Sequence, residues 1–232
     1  MVQGLLRKFR LDRGVLRWWL LVVGLITIDT NWTLFVIGTA LVWLGATLHF
    51  VAKGYLRQNR VLTVSGPYRY SRNPFYLANL IAECGLLVII GQWWLSAVYL
   101  PIWFWVYSKQ IKREEAKLLR IFGEEFASYR AAVPRLLPRP WKRGPAVASA
   151  FSWRNPNILN EGAVERSLRL AAYPLLLLAM DQMQDLRWAS INEFDDWTPW
   201  LLVAFVGLFI LGLWTSMVLP RFCPPVTPTV ST

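Results

Sequence analysis

The chain has 232 residues but only one histidine, His49, and two cysteines, Cys84 and Cys223. A single histidine excludes a multi-histidine metal site, and any Ser-His-Asp triad would have to use that residue. The cysteines are far apart and Cys84 sits in an apolar stretch, so neither a disulfide framework nor a thiol metal site is expected. No metal is expected. Acidic residues are also scarce, with 14 Asp+Glu against 25 Lys+Arg and a formal charge of +11. No glycine-rich phosphate cradle is visible, and the C-terminal Thr229-Val230-Ser231-Thr232 carries no prenylation box. The basic N-terminus leads into an apolar run without a small-residue cleavage site. The first apolar segment is therefore expected to be retained rather than removed as a signal peptide.

Apolar sequence, by contrast, is abundant: 55% of residues are hydrophobic and 14 are tryptophan. A basic chain invites a nucleic-acid reading, but a soluble nucleic-acid binder seldom carries this much apolar sequence. Apolar segments fall at 15–28, 32–51, 75–90, 93–107, 167–180 and 197–219. The second and last approach the ~20 residues that a helix needs to cross a ~30 Å hydrocarbon core. The shorter ones fit a locally thinned bilayer or snorkelling Trp and Arg, or a re-entrant course. Asp29-Thr30-Asn31 supplies a turn and an N-cap for the second helix. Gly91-Gln92 leaves a tight turn between the third and fourth, an antiparallel hairpin.

The expected fold class is thus all-α, a polytopic transmembrane helical bundle of about six spans. Twenty-four of the 25 basic residues fall on one side of it, with Arg187 alone on the other. The positive-inside bias then places both termini and the two long basic loops in the cytoplasm, and the charge excess reports topology and anionic headgroups. Between spans four and five, Ile111, Leu118, Leu119, Phe122, Phe126 and Tyr129 share one face of an expected amphipathic cytoplasmic helix over 109–132. Pro134 and Pro138 end it. A Pro-, Gly- and Arg-rich linker over 141–160 is expected to divide a unit 1–140 from a C-terminal hairpin and tail, 161–232.

Three groups of residues carry candidate chemistry. The loop Ser65-Gly66-Pro67-Tyr68-Arg69-Tyr70-Ser71-Arg72-Asn73-Pro74-Phe75-Tyr76 reads as a bend leading into a helix start, with Pro74 in the first turn and Asn73 as cap. From composition the loop suits an interfacial anchor or an anionic group at the helix N-terminus. Arg72, Tyr76, Asn79 and Glu83 form one polar stripe on the third span. A carboxylate inside a membrane segment points to a cavity, to a partner, or to a helix-packing hydrogen bond. In the cytoplasmic helix Glu114 pairs with Lys117 on a solvated face, whereas Glu115 lies with the apolar stripe. An acid on a buried face implies a cationic or polyhydroxyl ligand.

The loop motif, followed about 40 residues later by Glu114-Glu115-x2-Leu118-x3-Phe122-Gly123-x5-Tyr129 and a basic Pro-containing stretch, resembles the isoprenylcysteine carboxyl methyltransferase and phospholipid methyltransferase superfamily over roughly 37–140. The family pattern is Arg-His-Pro-x-Tyr-x-Gly; here Asn73 stands at the His position and Ala78 at the Gly position. The asparagine is a variant of the broader bacterial and phospholipid-methylating branch. The resemblance implies an integral, multi-pass membrane enzyme of the bacterial inner membrane or endoplasmic reticulum. It also implies S-adenosylmethionine bound at the cytoplasmic face and a lipidic or small hydrophobic acceptor entering laterally, either an isoprenylcysteine carboxylate or a phospholipid amine.

On that resemblance Tyr68, Tyr70, Arg72, Asn73, Pro74, Tyr76, Glu114 and Glu115 would hold the donor. The sulfonium would sit against tyrosine faces and the donor carboxylate on Arg72 or the N–H groups beside Asn73. Arg72, Glu83 and Glu115 would take catalytic roles. A carboxylate acceptor needs no base, whereas an amine needs Glu83, Glu115 or His49 to receive its proton. Two other readings are an NADPH-dependent sterol-type membrane reductase and a non-catalytic membrane scaffold. Membrane lipids are the expected partners, and nucleic acid is not.

Overall fold

The structure, a computed structural model, describes residues 13–57, 61–139, 142–144, 151–153 and 155–159, together with isolated positions between 203 and 214. Among them helices are the only regular elements, apart from one isolated bridge between Arg139 and Lys142. In chain order they are α1 (Arg13–Thr27), α2 (Trp32–Tyr55), a 3-10 turn (Gly66–Arg69), α3 (Pro74–Ile90), α4 (Trp93–Ala132) and the short α5 (Pro156–Leu159). The all-helical expectation holds for this part. The spans expected at 167–180 and 197–219, and the unit 161–232, lie outside the described residues apart from the isolated positions.

Among the described residues one helix, α2 with 24 residues, is long and apolar enough to cross a membrane; α1 from Val15 and α3 are apolar but shorter. Large apolar side chains face outward on α1, α2 and α4, with Trp18 at 69% and Trp93 at 80% exposure. An apolar exterior of this extent is what a lipid-facing bundle presents.

The local signals for the turns act as their chemistry dictates. The Asn31 side chain accepts a hydrogen bond from Leu34 N at 3.0 Å and caps α2. Gly91 takes the left-handed conformation, φ 77°, that ends α3 before Gln92 starts α4. The two turns abut: Asp29 N donates to Ile90 O at 2.9 Å, and a side chain at Gly91 would strike the Asp29 carbonyl.

In lipid there is little hydrophobic force between helices, so close backbone approach carries their association. Gly38 and Gly45 of α2 meet Gly85, Ala82 and Ala78 of α3, and a Cβ on Gly38 would lie 2.5 Å from the Gly85 carbonyl oxygen. Because that obstacle is backbone, Gly38→Ala must push the helices apart. A loss of about 1–3 kcal/mol, the usual cost of overpacking, is expected in reversible unfolding in mixed micelles.

Two expectations need correction. The fourth span and the cytoplasmic helix are not separate elements. α4 extends from Trp93 through Pro101 to a kink at Gly123 (φ 49°, ψ −123°), beyond which a short helical segment continues to Ala132. Nothing near 107–110 can stop a helix, because the polar sequence there includes Lys109 and Gln110, both good helix formers. Its first 30 residues span about 45 Å, longer than a ~30 Å hydrocarbon core. Ile111, Phe126 and Tyr129 are buried as the periodicity predicts, but Leu119 is turned outward, 40% exposed.

The described parts of the expected linker 141–160 are docked rather than a plain tether. Asn155, 1% exposed, donates through Nδ2 to the carbonyls of Gly54 (3.1 Å) and Leu56 (2.9 Å), and Asn157 donates to Leu56 O at 3.0 Å. These side chains satisfy carbonyl groups that the end of α2 would otherwise leave unpaired. Ser152 N also donates to Gly54 O at 3.2 Å, and the Phe151 ring packs against Tyr55.

Candidate functional site

A cavity of about 550 Å3 opens where the basic end of α2, the loop 61–76 and the outer part of α4 converge. That volume lies within the ~300–1,000 Å3 of small-molecule sites. Three devices shape its walls. Gly66, at φ 58°, passes under the Tyr55 ring, and the 3-10 turn closes through Tyr70 N and Ser71 N, each 3.1 Å from Pro67 O. Arg69 and Gly144 then lock the loop from outside: Gly144 N donates to Arg69 O (2.8 Å) and Arg69 Nε to Gly144 O (3.0 Å). Finally, Pro74 occupies the first turn of α3 and points Arg72, Asn73 and Tyr76 toward α4.

Arg72 is the inner strut. Its backbone N–H donates to Pro134 O at 3.0 Å, Nη1 donates to Arg130 O at 3.2 Å, and Nη2 lies 3.3 Å from Glu115 Oε1. Its side chain is only 8% exposed. Burial lowers the guanidinium pKa, opposed mainly by the Glu115 charge, and the group stays protonated at neutral pH. Glu115, 6% exposed, binds a second cation, accepting from Arg135 Nη2 at 3.0 Å and Nε at 3.2 Å. Tyr129 donates its hydroxyl to Tyr68 O at 2.7 Å. Burial is the main cause that raises the pKa of both phenols, so they act as neutral donors.

Two buried polar atoms at this site have no hydrogen-bond partner: the Tyr68 hydroxyl and Arg72 Nε. Both belong to residues lining the cavity. A buried donor without an acceptor costs about 1–3 kcal/mol. A ligand bearing acceptors would recover that cost.

The residues expected from sequence divide clearly. Tyr68, Arg72, Asn73, Pro74, Tyr76 and Glu114 all line the cavity. Tyr70 does not and is 46% exposed. Glu115 stands behind the wall, and its partners are the chain's own Arg72, Arg135 and Asn73 (3.4 Å) rather than a ligand, which corrects the reason given for its burial. Asn73 precedes Pro74 as expected but makes no side-chain cap; its Nδ2 donates instead to Arg135 O at 2.9 Å. Glu114 is no solvated partner of Lys117, since it accepts from Tyr76 (2.6 Å) and Gln110 (2.9 Å).

Glu83 departs from the rest of its stripe and does not line the cavity. It accepts from Arg17 of α1 (2.9 Å) and from Tyr99 (2.6 Å) and Tyr107 (3.3 Å) of α4. Arg17, assigned by sequence to the cytoplasmic charge cluster, is thus drawn into a bundle contact. Sequence reasoning gave no role to Arg135, and placed Tyr129 only on the apolar face and at the end of the motif, without its bond to the loop. The offset of Tyr129 from Glu115, close to four helical turns, was available as a signal. Arg135 lies past the helix end, where periodicity says nothing.

Residues 19–125 match the family model described as Phospholipid methyltransferase. Among curated proteins it is 26% identical over 100 residues to the protein-S-isoprenylcysteine O-methyltransferase of Schizosaccharomyces pombe, covering 43% of this chain and 42% of that protein. It is 34% identical over 83 residues to the cobalt-zinc-cadmium resistance protein CzcN of Cupriavidus metallidurans, covering 36% of this chain and 38% of that protein. The Xenopus laevis protein-S-isoprenylcysteine O-methyltransferase matches at 27% over 120 residues, 52% of this chain and 41% of that protein. The chain therefore spans about two fifths of the length of these relatives. No solved structure is recognisably similar to it.

Proposed function

We propose that the protein is an integral membrane methyltransferase. In this reading it takes S-adenosylmethionine in the cavity, on the cytoplasmic side, and methylates a lipidic or small hydrophobic acceptor that enters between helices. The observation that carries the proposal is the convergence of the two motif halves, 66–76 and 114–129, on one cavity whose wall holds two unpartnered buried donors.

The residues fit the donor. Arg72 Nε suits its carboxylate, the Tyr68 and Tyr76 rings suit a sulfonium, and Glu114 suits its ammonium or ribose hydroxyls. When bound, S-adenosylmethionine supplies an electrophilic methyl group. The chain's contribution is placement: Glu115, Arg135 and Tyr129 fix Arg72 and Tyr68, while Leu62, Leu118 and Phe122 keep water from the site.

Titration calorimetry of the detergent-purified protein with S-adenosylmethionine and S-adenosylhomocysteine should show saturable binding that NADPH does not displace. Absence of binding in several detergents and lipids overturns the proposal. Displacement by NADPH favours a reductase.

The unpartnered hydroxyl makes Tyr68→Phe informative, because its two effects have opposite signs. Deleting an unsatisfied buried group should stabilise the ligand-free protein by about 1 kcal/mol. Losing a neutral hydrogen bond to the ligand should weaken S-adenosylhomocysteine about fivefold. Thermal unfolding with and without the ligand reads both.

A further inference from the structure

Past the residues 19–125 that match the family model, the chain returns to α2. Residues 151–153 and 155–159 dock on the last turn of that helix, and none of them lines the cavity. Asn155, 1% exposed, is the centre of the contact. Its Nδ2 donates to the carbonyls of Gly54 and Leu56, while its Oδ1 accepts from Asn157 N at 3.0 Å and Asn157 Nδ2 at 2.9 Å. Each α2 carbonyl takes a second donor, Gly54 O from Ser152 N and Leu56 O from Asn157 Nδ2. A helix end whose carbonyls are left to water frays, and a glycine in the last turn adds to that tendency. Here that end is fixed.

The fixed end reaches the cavity by two routes. A Cβ on Gly54 would strike the Phe151 ring, so the bare glycine lets this ring sit against α2. Phe151 meets Tyr55 edge-on, with centroids 5.9 Å apart. Tyr55 in turn covers Gly66 so closely that a Cβ there would lie 2.6 Å from its ring, and Gly66 opens the 3-10 turn that carries Tyr68. The second route is the backbone. Leu56 and Arg57 line the cavity, and Arg57 N donates to Thr63 Oγ1, another lining residue, at 2.9 Å. Both stretches of wall therefore take their place from the end of α2, and that end takes its place from Asn155.

Resting on the donor reading above, we infer that Asn155 is a positioning residue for the donor site. Through the carbonyls of Gly54 and Leu56 it holds Tyr55 under the turn and so keeps Tyr68 in the cavity wall. Binding and docking are then linked. A donor in the cavity tightens the segment on α2, and a segment that releases α2 weakens the donor by the same factor. Part of the support of the donor site thus lies outside the residues that match the family model.

The test uses the full chain in phosphatidylcholine nanodiscs and reads hydrogen exchange and calorimetry together. In the unsubstituted protein, saturating S-adenosylhomocysteine should slow exchange at the Ser152 and Asn155 amides, although neither residue lines the cavity. Asn155→Asp keeps the size and the acceptor of the side chain but turns its donor into a second acceptor facing two carbonyls. It should weaken S-adenosylhomocysteine about tenfold, the loss expected for two neutral hydrogen bonds, and speed exchange at Arg57. Gly54→Ala, which displaces Phe151 and alters no lining residue, should do the same. Exchange around Gly38 and Gly45 should stay as slow as in the unsubstituted protein, which separates a loosened wall from a lost fold. Unchanged affinity in both variants, or exchange at Ser152 and Asn155 that ignores bound ligand, overturns the inference. A general loss of protection in both variants also overturns it, because Asn155 then supports the fold rather than the site. Failure of the donor reading looks different: S-adenosylhomocysteine then does not bind the unsubstituted protein, while Asn155→Asp still speeds exchange at Arg57.

Discussion

Glu115→Ala is expected to abolish measurable S-adenosylhomocysteine binding and to destabilise the protein by about 3–5 kcal/mol, the range for removing one partner of a buried ion pair. The carboxylate touches no cavity surface, so the binding loss is indirect. It holds Arg72 through Oε1 and Arg135 through Oε2. Without it the Arg72 side chain, 8% exposed, keeps its charge and loses its counterion. Arg72 then either swings out to water, opening the wall, or stays and carries the desolvation cost. Adding Arg72→Ala to Glu115→Ala should restore part of the stability, since the stranded charge is gone, but none of the binding. A double-mutant cycle in unfolding therefore shows strong coupling, while calorimetry shows none to recover. Glu114→Gln makes the contrast. It keeps an acceptor for Tyr76 and should cost little stability while weakening the donor.

That Glu115 is buried was legible from sequence, because it follows Ile111 by four residues and precedes Leu118 by three. What buries with it was not. A periodicity names the inward face of one helix and carries no information about the partner brought in from 20 or 42 residues away. The same divide runs through the fold. Asn31, Gly91 and Pro74 act on their own backbone, and each turn or helix start came out as its local chemistry dictates. Asn73 has the same local chemistry as Asn31 but a stronger offer from a distance, the Arg135 carbonyl, and its cap is lost. The continuity of α4 was hidden because a change of solvent was read as a change of element. Charge at Lys109 marks where apolar sequence stops, whereas a residue of good helix propensity does not stop the helix itself.

Glu83→Ala is the second substitution with a large expected effect, and its signature is the opposite of a catalytic one. Glu83 is 2% exposed and is the common acceptor for Arg17, Tyr99 and Tyr107, so it ties α1 and α4 to α3. Its removal strands two phenols that are themselves 0% and 1% exposed. Arg17, whose side chain is 48% exposed, keeps an escape to water. The sum favours a loss of about 2–4 kcal/mol, carried mainly by the orphaned hydroxyls rather than by the arginine. Tyr99→Phe combined with Glu83→Leu tests that apportioning, because removing donor and acceptor together should recover most of the loss. Arg17→Ala alone should cost less than Glu83→Ala, since the carboxylate keeps both phenol donors, Tyr99 and Tyr107. In the fraction that remains folded, S-adenosylhomocysteine affinity should match the unsubstituted protein, because no atom of this cluster lines the cavity. A variant with full stability and lost turnover would instead return Glu83 to the chemistry.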